Sequence, residues 1–361
     1  MTDRAKWERC ISLRGIEVNE FASRYLGMEG RRVLLIGGAG FDPRSTLITE
    51  MLSRLISGLA AIFIREERPG ALHAKLRALA DDNARRMKAL VVNSEVVPIQ
   101  VFASDGAVIG GREVAKLIVG RSWHELTDVV VDFSALSKGI AFPLVRCLLG
   151  TLDQLKLSTN VHLMVVEDSG TDQQIIEIGC DRPSMMPGFE SSWGLDKSRD
   201  AAKLWLPQLI ASQDAILDRL HRFLAPNVDV CPILPFPADN PRLADELIAE
   251  YRSQMMDVWE VEPRDIVYAQ ERNPLDLYRT VLRINRARSR VFQEVGGSIT
   301  ILSPLGSKVL AIGALMAALD QDFPVAYEES IDYDVKPATI EVMTRTGEIV
   351  HVWLRGGTSG Q

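Results

Sequence analysis

From Arg31 onward the chain alternates short, apolar, β-rich runs with longer runs whose apolar residues recur at helical spacing. That alternation is the mark of strand–helix–strand units. Parallel neighbours need a crossover of a dozen or more residues, and an amphipathic helix both supplies the length and covers a sheet face. Residues 32–38 (RVLLIGG), 59–64, 96–103, 128–133 and 161–167 read as strands, and residues 45–57, 72–89, 111–119 and 140–155 as helices. After Glu167 comes a stretch holding Gly170, Gly179, Pro183, Pro187, Gly188 and Gly194, too rich in turn residues for one regular element.

A second series follows it, with helices expected at 212–224, 241–258, 275–295 and 308–319 and strands at 228–234, 265–269, 298–303 and 324–328. Residues 339–354 alternate apolar and polar around Thr346 and Gly347, which predicts a β-hairpin. The expected fold is therefore α/β, with two Rossmann-like parallel-sheet units in tandem and a C-terminal β-hairpin. The expected divisions are 1–168 and 206–334 for the two units, 169–205 for an irregular connector, and 335–361 for the hairpin and tail. A length of 361 residues suits two domains of roughly 150 residues each.

Composition narrows the functional classes. With 47% hydrophobic and 25% charged residues the chain has the makeup of a globular protein, not a disordered one. No apolar run reaches the roughly 18 residues a spanning helix needs, and MTDRAKWERC has no apolar core of the signal-peptide kind, so a cytoplasmic protein without a membrane role is expected. Cys10, Cys147, Cys180 and Cys231 form no CxxC pair, and His73, His124, His162, His221 and His351 show no metal-ligand spacing; neither a disulfide scaffold nor a metal site is expected. His162, within an apolar strand, reads as a core residue. The net charge of -7 opposes general coating of nucleic acid.

The two halves share a strand–loop–helix unit: VVVDFSALSKGIAFPLV from Val129 to Val145, and SITILSPLGSKVLAIGAL from Ser298 to Leu315. With one gap, Ser134 and Lys138 align with Ser303 and Lys308. In both, Ser-Lys opens a helix, where unpaired backbone N–H groups and the helix dipole favour an anion. A third loop of this kind, GGAGFDPRST, follows the first strand and sets Gly37, Gly38 and Gly40 before Asp42, Arg44 and Ser45. All three fall at strand carboxyl ends, where open parallel sheets hold ligands. Ser and Thr at a helix start also serve as plain N-caps, but three such loops together favour a phosphorylated ligand. The glycine loop lacks both GxGxxG and the P-loop pattern, so no dinucleotide or P-loop cofactor is expected.

The candidate phosphate-binding residues are Gly37, Gly38, Gly40, Asp42, Arg44, Ser45, Ser134, Ser137, Lys138, Gly306, Ser307 and Lys308. Backbone amides of the glycine loop would hold phosphate and the two lysines would supply charge. Asp42 or Asp132 would accept from a ribose hydroxyl, or serve as acid or base if the protein cleaves its ligand. Separately, Arg279, Arg283, Arg286 and Arg290 recur at steps of four, three and four along one helix, which puts them on one face. Such a row reads either as a solvated stripe or as a nucleic-acid contact.

Asp132-Phe133-Ser134-Ala135-Leu136-Ser137-Lys138 resembles the strand-end motif of CARF domains, the Rossmann-like sensors of cyclic oligoadenylate in prokaryotic defence. Asp132, Ser134, Ser137 and Lys138 match that pattern, while Ala135 and Leu136 stand where the family has glycines. The second loop keeps Gly306-Ser307-Lys308 but has Ile301 at the acidic position. The resemblance implies a sensor of a (cyclic oligo)nucleotide that works as a homodimer, with its effector in a protein partner or in its own second half. The residues also suit a nucleotide hydrolase or phosphodiesterase, a PP-loop-like ATP-using enzyme, or an interaction module of a larger defence or repair complex.

Overall fold

A computed structural model describes residues 5–69, 74–168, 170, 174–190, 201–294, 296–335 and 347–356. The chain divides into two compact units. One comprises Arg9–Gln174 with Ile331–Gln361, and the other Met1–Glu8 with Ile175–Ser330. Both mix helices with parallel strands, so the α/β class stands.

The first unit is built on a seven-stranded sheet. Its strands are β1 (Ser12–Arg14), β2 (Val33–Gly38), β3 (Ala60–Glu67), β4 (Asn93–Gln100), β5 (Asp128–Asp132), β6 (Asn160–Glu167) and the tail strand β16 (Glu348–Arg355). They lie in the order β1-β16-β6-β5-β2-β3-β4. From β4 to β6 all pairings are parallel, while β16 runs antiparallel to β6 and β1 antiparallel to β16. β2, β5 and β6 are buried along their whole length, as interior strands covered on both faces must be.

The helices are α1 (Ile16–Phe21), continued as a π-helical turn to Leu26, then α2 (Leu47–Leu55), α3 (Ala74–Leu90), α4 (Gly110–Val119) and α5 (Lys138–Gln154). α1 and α2 bury Val18, Ala22, Ile48 and Leu52 against Val33, Leu35, Phe63 and Val130. On α5 an unbroken run from Gly139 to Val145 is buried.

The tail adds a strand to the first sheet. Residues 348–355 form the strand of the expected hairpin that the structure describes, and between Val350 and Val352 both its edges are taken, by β6 and by β1. The open edge of β6 carries unpaired backbone N–H and C=O groups, and β16 satisfies them at long range. The other arm of the expected hairpin, 339–346, lies outside the described residues.

In the second unit the strands are β7 (Ile175–Gly179), β8 (Ser184–Met185), β9 (Ala202–Pro207), β10 (Val228–Val230), β11 (Ile233–Pro235), β12 (Val267–Ala269), β13 (Ser298–Ser303) and β14 (Ala326–Tyr327); β15 (Ser330–Val335) straddles the division. β9 lies between β10 and β13, parallel to both, and β11 pairs in parallel with β12. Single parallel bridges join Gln208 to Ile233 and Leu302 to Val325. The expected strand at 228–234 is thus two short pieces, broken at Cys231-Pro232 because proline supplies no N–H to a ladder. β9 is a second correction: it falls largely within 169–205, which the turn residues had marked as an irregular connector. Its LWL core, Leu204 to Leu206, is buried.

The helices here are α6 (Asp214–Leu224), α7 (Leu243–Glu250), α8 (Pro274–Phe292) and α9 (Lys308–Gln321). Trp205, Leu217, Leu220, Tyr251 and Trp259 are central to one core cluster. α8 packs closely on α9, since a Cβ on Gly313 would lie 2.4 Å from the Pro274 carbonyl oxygen. No described helix is long and apolar enough to cross a membrane.

Candidate functional site

In the first sheet the strand order reverses at β2, which pairs with β3 on one side and β5 on the other. The loops that leave β2 and β5 therefore diverge at their carboxyl ends, the place where open parallel sheets bind ligands. Residues 37–46 and 132–138 make up these loops. The structure brings together Gly37, Gly38, Gly40, Asp42, Arg44, Ser45, Asp132, Ser134, Ser137 and Lys138 at this end of the sheet.

The glycines let the two loops touch. A Cβ on Gly38 would lie 2.6 Å from the Ala135 carbonyl carbon and oxygen, and one on Gly40 would lie 3.5 Å from the same oxygen. The path of the first loop is fixed by Asn83 of α3, whose amide donates to the carbonyls of Gly40 and Asp42 at 3.0 and 3.2 Å.

Asp42 caps the turn that follows, its Oδ1 accepting from the Arg44 amide at 2.9 Å. The same carboxylate grips the Arg44 guanidinium, with Nη2 to Oδ2 at 2.6 Å and Nε to Oδ1 at 3.0 Å. Arg44 is only 1% exposed, so the pair is buried. Beside it the hydroxyls of Ser45, Thr46 and Thr49 are buried with no hydrogen-bond partner among the described residues.

A carboxylate also sits at the start of α5. Glu66 Oε1 accepts from the Ser137 amide at 2.7 Å, and Glu66 Oε2 pairs with the Arg68 guanidinium at 2.6 Å. This helix start thus holds an anionic group, as the dipole favours. Arg68 lies over the Tyr333 ring, 5.5 Å from its centroid, and Phe41 meets the same ring edge-on at 5.3 Å. Asp132 Oδ1 accepts from the Ser134 amide at 2.8 Å, and Ser134 Oγ accepts from the Val166 amide at 2.9 Å. Lys138 is half-buried at the head of the helix.

The second unit repeats part of this. Ser307 caps α9, its Oγ accepting from the Leu310 amide at 3.3 Å, and half-buried Lys308 opens the helix. A Cβ on Gly306 would lie 2.9 Å from Oε1 of Gln208, which is buried just past β9. Ser303 Oγ accepts from Trp205 Nε1 at 2.9 Å and donates to the Ala326 carbonyl at 2.7 Å. On α8, Arg279, Arg283 and Arg290 are exposed and Arg286 is half-buried.

Sequence reasoning missed Glu66, Arg68, Asn83 and Tyr333. No local pattern links Glu66 to a helix start 71 residues away. It also missed a buried relay at the start of β5. Asp128 takes hydrogen bonds from Arg31, Thr127, Asn160 and His162, the last at 3.2 Å. His162 Nδ1 in turn lies 3.0 Å from His351 Nε2. Burial acts to raise the Asp128 pKa, but the hydrogen bonds from His162, Thr127 and Arg31 outweigh it and hold it below the usual range. With Asp128 ionised, His162 donates from Nε2 and accepts at Nδ1 from His351 Nε2–H, leaving His351 Nδ1 a buried acceptor with no partner among the described residues. Burial pushes both histidines towards the neutral form, His351 well below the usual histidine range.

No family model and no curated protein matches the chain. Among solved structures it is similar to the cytoplasmic domain of a prokaryotic cation chloride cotransporter, at 10% identity over 83% of this chain and 96% of that one, with a TM-score of 0.25. It is also similar to the Pseudomonas aeruginosa RhlG/NADP active-site complex, at 12% identity over 80% of this chain and 89% of that one, with a TM-score of 0.21. At such scores neither likeness carries an argument.

Proposed function

We propose that the protein binds a phosphorylated ligand, a nucleotide of the (cyclic oligo)nucleotide kind, at the carboxyl end of the first sheet, and acts as a sensor or regulatory component of a prokaryotic defence system. The observation that carries this reading is the Glu66 carboxylate on the Ser137 amide. A helix start that already holds an anion, with Arg68 on that anion and Lys138 at the helix head, has the charge and the N–H groups a phosphate needs. Ligand phosphate would take the place of Glu66 there. The defence role rests on the Asp132 to Lys138 resemblance, which also implies a homodimer and an effector supplied by a protein partner.

Binding without turnover is the better reading of the carboxylates. Asp42 spends both oxygens on Arg44, whereas a general base needs a free lone pair facing its substrate.

The test is to denature freshly purified protein, identify released small molecules by mass spectrometry, and repeat after incubation with a panel of linear and cyclic nucleotides. An intact nucleotide, retained by wild type and lost from Lys138→Ala at unchanged melting temperature, is expected. Shortened products would move the assignment to a phosphodiesterase or hydrolase. Folded protein that retains no nucleotide would overturn the reading and favour an interaction module.

A further inference from the structure

We infer that the exposed arginine face of α8 is a docking surface for the phosphodiester backbone of a nucleic acid. The helix sorts its side chains sharply. Leu277, Tyr278, Val281 and Leu282 are buried on the inner side. Arg288, which also turns inward, is fully engaged, bonding the Asp229 carboxylate, Ser298 Oγ and the Lys203 carbonyl. Arg279, Arg283, Arg286 and Arg290 lie on the opposite side within an arc of about 60° at 100° per residue.

Three of these four are exposed, and among the described residues no carboxylate pairs with Arg279, Arg283 or Arg290. Arg279 donates to the Glu8 carbonyl and Arg283 reaches the Thr280 hydroxyl at 3.5 Å. The flanking acids do not neutralise the row: Asp276 accepts from the Gln270 amide, and Glu294 lies beyond the helix end. In a chain with 48 acidic and 41 basic residues, three exposed arginines on one helix face that pair with no carboxylate among the described residues are a local inversion of charge.

It is also a cost to the helix. Arg279 and Arg283 are like charges at i,i+4 spacing and repel until an anion neutralises them. The row runs about 16 Å in a straight line, with one guanidinium per turn. Guanidinium forks match phosphate oxygens, and even spacing along a line suits a polymer that carries a charge at every repeat.

The test is fluorescence anisotropy of the full chain with a labelled 30-nucleotide oligothymidine and with a labelled 30-base-pair duplex, as a function of salt. Wild type should bind at least one probe at 50 mM salt. The triple variant Arg279→Gln, Arg283→Gln, Arg290→Gln should bind at least tenfold more weakly, and the slope of log affinity against log salt should shrink by about 2–3 for three lost phosphate contacts. The control triple Arg54→Gln, Arg77→Gln, Arg222→Gln removes the same net charge from other exposed arginines and should bind like wild type. No binding to either probe, or equal weakening by both triples, would overturn the inference. So would displacement of the probe by poly-glutamate as readily as by unlabelled oligonucleotide, which would identify an acidic protein surface instead.

Discussion

Ser134 and Ser303 occupy the same place in the sequence repeat and form the same kind of tie. The Ser134 hydroxyl, just past β5, accepts from the Val166 amide of β6, and the Ser303 hydroxyl, at the end of β13, donates to the Ala326 carbonyl of β14. In each unit the serine fastens the end of one parallel strand to the main chain of the next. Both hydroxyls are buried.

Replacing either serine by alanine leaves a buried backbone group without its partner, a loss of about 1–3 kcal/mol. Ser303→Ala should cost at least as much as Ser134→Ala, because it also strips Trp205 Nε1 of its acceptor. Scanning calorimetry should show each variant melting lower by about 2–4 °C per kcal/mol lost. An unchanged melting temperature together with lost nucleotide binding would place these hydroxyls on a ligand instead.

The repeat was legible because a strand end and a helix start each impose local residue types. Its use was not, since the partners of Ser134 and Ser303 lie 32 and 23 residues away. The same limit hid the Glu66 carboxylate on Ser137. The apolar–polar alternation of 348–355 correctly marked a strand, yet its pairing to β6 joins residues nearly 190 apart, as in the His162–His351 contact. β9 was lost among glycines and prolines, although its Leu-Trp-Leu run was signal enough for a short buried strand.

Gly38→Ala tests whether the two loops at the sheet reversal must touch. The added methyl would meet the Ala135 main chain at 2.6 Å, and main chain cannot swing aside as a side-chain tip can. Overpacking of this kind costs about 1–3 kcal/mol. Gly58→Ala, where the added Cβ meets nothing within 4 Å but the backbone φ is +75°, reports strain alone and is the comparison. If Gly38→Ala melts like wild type, the loops have room to part and the packing argument fails.

The Asp42–Arg44 pair makes a sharper prediction. Arg44→Met leaves a largely buried carboxylate without its guanidinium, and Asp42→Asn takes from a nearly inaccessible guanidinium the carboxylate that grips it at two points; each should destabilise by about 3–5 kcal/mol. The double variant should lose clearly less than the sum, since the second change removes the charge that the first left stranded. Urea unfolding of the four proteins closes the cycle. Additive losses would mean that the two side chains act on stability independently.

The His162–His351 pair should make the first unit acid-sensitive. Both imidazoles are held by burial below their usual titration range, so near pH 6.5 and below the unfolded chain takes up protons that the native chain does not. Their contribution to stability is therefore complete above that range and falls as the pH drops through it, by up to about 1.4 kcal/mol per pH unit for each histidine. Asp128, held below the usual carboxylate range, acts only towards pH 4 and lower, outside this window. Burial, with the Asp128 charge beside it, pushes the Tyr25 phenol above the usual tyrosine range, so it does not titrate in this window. His351→Phe preserves an aromatic ring on Phe21, which now stacks on His351 at 4.5 Å, and removes one titrating group. Melting temperature followed from pH 7.5 to 5.0 should fall less steeply for His351→Phe than for wild type. Parallel curves would show that the histidines do not titrate differently in the folded and unfolded chains.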